Sequence, residues 1–156
     1  MKPAFLHTRV AAHADLPGLL DLYRHLNPED DSPGIDMAGR VLDRFMAYEG
    51  SAIFIGEADG ALVASCALVV VPNLTRGGRS YGLIENVVTH RDFRKRGFGR
   101  QILAAASAAA WKAGCYQGDA DDGFAPARDP ELLSRRGVRA VKDRLPEARP
   151  GPPSGT

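Results

Sequence analysis

A mixed α/β fold, built on a mostly antiparallel sheet flanked by helices, is what this sequence predicts. Three observations carry it. Between Leu6 and Gln117, strand-like and helix-like stretches follow one another in the order β-α-α-β-β-β-α. Asp59-Gly60 stands between two apolar runs, a strong two-residue hairpin signal, and a hairpin pairs its strands antiparallel. Residues 100–113 then collect alanine, leucine, isoleucine and glutamine directly after a β-branched strand, so the local preference changes from strand to helix. The chain has 156 residues, enough for one domain with a real core.

The elements follow in order. Residues 6–11 (LHTRVA) form a first strand. Asp15 caps a helix through Leu16, Leu19, Leu20 and Tyr23, whose spacing lines one face. Pro17 falls in its first turn, where the missing N–H costs nothing. Asn27-Pro28-Glu29-Asp30-Asp31-Ser32-Pro33-Gly34 breaks the chain into a polar loop. A second helix covers about residues 37–48, with Val41, Leu42, Phe45 and Met46 inward, and Gly50 ends it. Residues 52–57 and 61–71 are the strands of the Asp59-Gly60 hairpin. A loop over residues 72–80 contains Arg76-Gly77-Gly78-Arg79, and residues 81–89 form the next strand.

Composition excludes several classes. A net charge of +1 gives no bulk field for nucleic acid or membrane; the basic character is local, between Arg91 and Arg100. The longest apolar run, residues 61–71, is too short to cross a bilayer and contains Ser65. No secretory leader is visible. Cys66 and Cys115 lack metal-ligand spacing and sit among apolar residues. They read as buried thiols of a reducing compartment, and the cytoplasm is the expected location. The four histidines form no ligand set, and no metal is expected; only His90 stands beside a candidate site.

That site is the stretch from Glu85 to Gly114. Val87 and Val88 end a strand, Arg94-Lys95-Arg96-Gly97-Phe98-Gly99 make a basic turn, and a helix follows from Arg100 to a stop at Gly114. Gly97 and Gly99 permit positive φ and close approach of a ligand to the backbone. The free N–H groups and positive dipole end of a helix start suit a phosphate or pyrophosphate. A dinucleotide fingerprint needs a third glycine where this chain has Ile102. A glycine turn that only lets helix and strand pack closely is the plainer alternative.

The R-x-x-G-x-G spacing at Arg94, Gly97 and Gly99, following IENVVTH, resembles the acyl-CoA motif of the GNAT N-acetyltransferases. The resemblance covers residues 6–117. It implies that backbone amides from Arg94 through Lys95, Arg96, Gly97, Phe98, Gly99 and Arg100 hold the pyrophosphate of acetyl-CoA, the co-substrate. It implies that Val87, Val88 and Thr89 orient the pantetheine arm. In many members an acidic residue at the place of Glu85 takes a proton from the acceptor amine; the alternative is a strand-end carboxylate bonded to backbone or to Asn86. The acceptor implied is an amine on a small molecule or peptide, and a homodimer is left open. The acidic loop Glu29-Asp30-Asp31 could attract a cationic acceptor or simply be solvated.

After Gln117 the resemblance stops. The family continues with an apolar strand, a helix carrying Phe-Tyr and Ala-Gly-Phe, and a final strand. Here six of the eleven prolines lie from Pro126 onward and no β-branched run follows Tyr116. Residues 118–156 are therefore expected to be an atypical, poorly ordered tail, with the C-terminal strands of the fold missing and residues 1–117 an incomplete acyl-CoA-binding domain. Dropping one nucleotide before Gly118 lets Leu132-Leu133-Ser134 be read as Phe-Tyr and Arg136-Gly137-Val138-Arg139 as Ala-Gly-Phe, which points to a frameshift near codon 118. The enzymatic expectation is an acetyl-CoA-dependent N-acetyltransferase. The rival is a catalytically impaired or non-catalytic acyl-CoA-binding domain, which the altered tail favours.

Overall fold

The structure, a computed structural model, describes residues 4–115. The expectations for the tail from residue 118 onward lie outside the described residues. Four strands, β1 (His7–Val10), β2 (Ala52–Ala58), β3 (Ala61–Val71) and β4 (Tyr81–Thr89), form one sheet in that order, each pair antiparallel. Asp59 (φ +52°) and Gly60 (φ +75°) both take left-handed backbone at the β2–β3 turn. That is the geometry that lets a two-residue loop follow the strand twist.

Helix α3 (Phe98–Lys112) covers one face of the sheet. Its Phe98, Ile102, Ala106 and Ala110, spaced three or four apart, enter the main core with Phe54, Cys66 and Leu68. Helices α1 (Leu16–Tyr23) and α2 (Ile35–Met46) cover the other face. Leu19 packs on Ile55, and Leu16 packs with Ala38 and Leu42. Leu6 packs beside Gly56: a Cβ there would lie 2.5 Å from Leu6 Cδ2, so any larger residue would force the buried Leu6 side chain to shift.

Three expectations need correction. Helix α2 starts two residues early and ends at Met46, and Val41 and Met46 are exposed. The buried line is Ala38 and Leu42, one helical turn apart, with Phe45 partly covered; at 100° per residue Val41 and Met46 lie off that line. Asp15 does not cap α1 by its side chain. A short 3-10 turn over His13–Asp15 precedes the helix, so the carboxylate reaches back to the Ala12 N–H (2.8 Å) and to Arg9 (2.7 Å). Helix α3 begins at Phe98, so Gly99 is inside its first turn and carries no positive φ; Lys95 does, at +64°.

Candidate functional site

The site begins where β4 ends. His90 N–H donates to Val63 O (2.8 Å), and a 3-10 turn over Arg91–Phe93 follows. Arg94 is extended, Lys95 is left-handed, and Gly97 (φ +80°, ψ 9°) is the N-cap of α3. Nothing lies within 4 Å of a Cβ built on Gly97, so its backbone angle, not crowding, calls for glycine. No side chain caps α3 at this end. Its first-turn N–H groups lack intrahelical partners and present the positive end of the helix dipole.

This turn and β4 enclose an open cleft of about 690 Å³. Val87, Thr89, Arg94, Lys95, Gly97, Phe98, Gly99 and Arg100 line it together with Phe93 and Leu103. Most of the residues singled out from sequence therefore converge; Val88 and Arg96 do not line the cleft. Val88 is buried and faces α1 and α2 opposite Ser65. Arg96 stacks over Phe93 at 4.9 Å and donates to Asp92 O (3.4 Å). A Cβ on Gly99 would meet Thr89 Oγ1 at 3.5 Å, an ordinary contact. β4 is an edge strand among the described residues, so alternate peptide groups point away from β3 toward this side.

A bulge in β4 decides which face each residue serves. Ser65 pairs with Val88 and Ala67 with Glu85, so Asn86 and Val87 together oppose Cys66. Asn86 has φ +52°, a conformation asparagine tolerates better than most residues. Strict alternation would put Glu85, Val87 and Thr89 on one face. The extra residue instead sends Val87 and Thr89 toward α3 and Glu85 toward α1 and α2. Glu85 is half-buried, and its side chain makes no hydrogen bond or ion pair among the described residues.

On that second face lies a smaller cleft of about 150 Å³, lined by Tyr23, Arg24, Asn27, Asp30, Asp31 and Asn86 among others. Asn27 Nδ2 donates to Asp30 Oδ1 at 2.7 Å. Tyr23 is partly buried between α1 and the sheet, and burial pushes its phenol pKa up. The bulge thus stands between the two clefts, its Val87 in one and its Asn86 in the other.

Sequence reasoning missed one cluster. The His25 and His90 rings lie 4.1 Å apart, and Phe93 meets His90 edge-on at 5.5 Å. Burial, then His90, Arg91 and Arg94, holds the His25 pKa below its ordinary value. Arg94 donates from Nε to Thr89 O and from Nη2 to His25 O, each at 3.2 Å. The only signal in the sequence was His90 beside the turn; His25, far away in the chain, gave none.

The arrangement suits an elongated ligand carrying a pyrophosphate: an uncapped helix start, a left-handed glycine, and Lys95 and Arg100 beside an open strand edge. Residues 18–125 match the Acetyltransferase (GNAT) family. This chain belongs to that family. It is a GNAT acetyltransferase, and the family's co-substrate is acetyl-CoA. The match runs past Gln117, into the segment whose composition departs from the family pattern. The GNAT chain is 31% identical over 112 residues to the glucosamine 6-phosphate N-acetyltransferase of Trypanosoma brucei brucei, covering 72% of this chain and 76% of that protein. A solved structure assigned as an acetyltransferase from Agrobacterium tumefaciens str. C58 is 39% identical with TM-score 0.66, covering 82% of this chain and 87% of that one. The Salmonella typhimurium protein yncA, solved with acetyl-CoA, shares the fold at TM-score 0.58 and 17% identity, over 72% of this chain and 67% of that one.

Proposed function

We propose that this chain transfers an acetyl group from acetyl-CoA to a primary amine of a small-molecule or peptide acceptor. The observation that carries the reading is the cleft in which the open edge of β4 meets the uncapped first turn of α3. There the N–H groups from Lys95 to Arg100 hold the pyrophosphate, and Lys95 and Arg100 add positive charge. Peptide groups at Val87 and Thr89 orient the acyl arm along the strand. When bound, acetyl-CoA supplies an acetyl group activated as a thioester.

The acceptor approaches from the α1 and α2 face, where the acidic pair Asp30 and Asp31 favours a cationic amine. An amine must lose its proton before it can attack. Glu85 faces this side and is our candidate for accepting that proton, directly or through water. Glu85→Gln should then lower turnover by about 10²-fold or more with acetyl-CoA affinity kept. An unchanged rate removes Glu85 from the mechanism. Glucosamine 6-phosphate, the acceptor in the name of the trypanosomal relative, is the first compound to assay, beside unphosphorylated amines. Two free, buried cysteines support a reducing compartment, and the cytoplasm is our reading of the location.

The composition of residues 118–156 favours a second reading, an acyl-CoA-binding domain without turnover. Titration with CoA followed by a thiol-release assay with acetyl-CoA separates the two. Binding with amine-dependent release supports the transferase, binding without release supports the second reading, and no binding removes both.

A further inference from the structure

We propose that Arg94 is a positioning residue that ties the cofactor turn to the acceptor-side loop, and not the cation that meets the cofactor's phosphates. The proposal rests on the acetyl-CoA reading of the turn for its functional meaning, but the tie itself is geometric.

The Arg94 guanidinium is already engaged. Its Nε bonds the last carbonyl of β4, at Thr89, and its Nη2 bonds the carbonyl of His25, 69 residues away in the chain. His25 lies in the turn that ends α1, with its own N–H on Leu22 O (3.0 Å). Carbonyls at a helix C-terminus lack intrahelical partners and favour a cation. A planar guanidinium can serve two carbonyls at once, which a lysine ammonium does less well. The His25–His90 ring contact buttresses the same junction from beside it. Directly after His25 the chain enters the loop whose Asn27, Asp30 and Asp31 line the acceptor-side cleft. Lys95 and Arg100 line the cofactor cleft as Arg94 does, but unlike Arg94 their side chains make no hydrogen bond or ion pair among the described residues. They are left to meet an anion. One side chain therefore joins the element that receives the cofactor to the element that receives the acceptor, and fixing the turn fixes the start of the loop.

The test is amide hydrogen exchange on the full chain, comparing wild type with Arg94→Gln and Arg94→Lys, with and without CoA. Without CoA, both variants should exchange about threefold to tenfold faster across residues 26–34, with the protection of β2 and β3 kept. Both should bind CoA within about threefold of wild type, because neither changes the backbone N–H groups of the helix start. CoA should slow exchange in residues 26–34 of wild type and not of the variants. If Arg94→Gln loses CoA affinity tenfold or more while Arg94→Lys keeps it and the loop exchanges as in wild type, Arg94 is a phosphate cation and the proposal fails. Unaltered loop exchange in Arg94→Lys alone also overturns it, which covers the case of an Arg94→Gln chain that does not fold. Should wild type not bind CoA, the proposed function falls, yet the exchange comparison without CoA still decides whether the tie exists.

Discussion

Gly97 and Gly99 stand two residues apart in one motif and do different work. Gly97 holds φ +80° with open space around its missing Cβ, whereas Gly99 is helical and close to Thr89. Gly97→Ala should cost about 1–2 kcal/mol, the penalty of an L-residue in left-handed backbone. Gly99→Ala should leave stability within about 0.5 kcal/mol, since alanine suits a helix and meets only an ordinary contact. Urea midpoints of the two variants measure the contrast, and equal losses would contradict it. His25 gives a residue-scale prediction of a different kind. Its folded pKa lies below the ordinary 6.5, through burial and the facing His90, Arg91 and Arg94, with Asp92 opposing them. Well above pH 6.5 His25 is neutral in both states and contributes no slope. As pH falls from 6.5 through the lowered folded value, the unfolded chain takes up a proton that the folded chain resists, and stability is lost. His25→Gln should flatten that part of the acid limb in urea melts taken across this range; an unaltered slope would show that His25 is not its source.

At the scale of elements, the ends of α3 show what a sequence discloses and what it withholds. Gly114 reads as a helix stop, and it is one: with φ +80° its N–H bonds Trp111 O (2.9 Å) while Cys115 N–H bonds Ala110 O (3.1 Å). Those are the paired bonds of a Schellman motif. The β2–β3 hairpin and the bounds of β3 and β4 were equally legible, because Asp-Gly and β-branched runs act locally. The β4 bulge was not. It needs one asparagine in left-handed backbone and a partner strand against which to count residues, and a single strand supplies no such count. This is why period-two reading assigns Glu85 and Val87 to one face when they serve opposite ones. Helix α2 escaped for a related reason: its apolar residues outnumber its buried ones, and only packing against α1 selects Ala38 and Leu42. A β-branched residue tolerates positive φ poorly. Asn86→Val should therefore cost about 1–3 kcal/mol and disturb the pairing of Glu85 with Ala67; Asn86→Gly should be near neutral. Thermal melts and the amide spectrum of β4 distinguish the two, and a valine variant as stable as the glycine one would show that the bulge is not held by this residue.

At the scale of the whole molecule, one sheet separates two clefts, and β4 serves both from its edge. That edge presents unpaired peptide groups among the described residues, a liability natural proteins usually cover. Cys115, where the described chain ends, is buried in the main core, and its carbonyl accepts a bond from Arg79 (3.5 Å), two residues before β4 begins. Residues 118–156 as written carry Leu132, Leu133, Val138, Val141 and Leu145 separated by arginines and acids. They offer no period-two run long enough to repay an ordering cost of roughly 1–2 kcal/mol per residue. A chain carrying the frame-restored tail should therefore melt higher than the chain as written, by about 5–10 °C for roughly 2–3 kcal/mol in a domain of this size. It should also bind acetyl-CoA more tightly. Expressing both side by side and recording melting, acetyl-CoA affinity and amine-dependent thiol release decides the matter. If the written chain melts as high and turns over as fast, the frameshift reading is wrong and this tail is a working part of the enzyme.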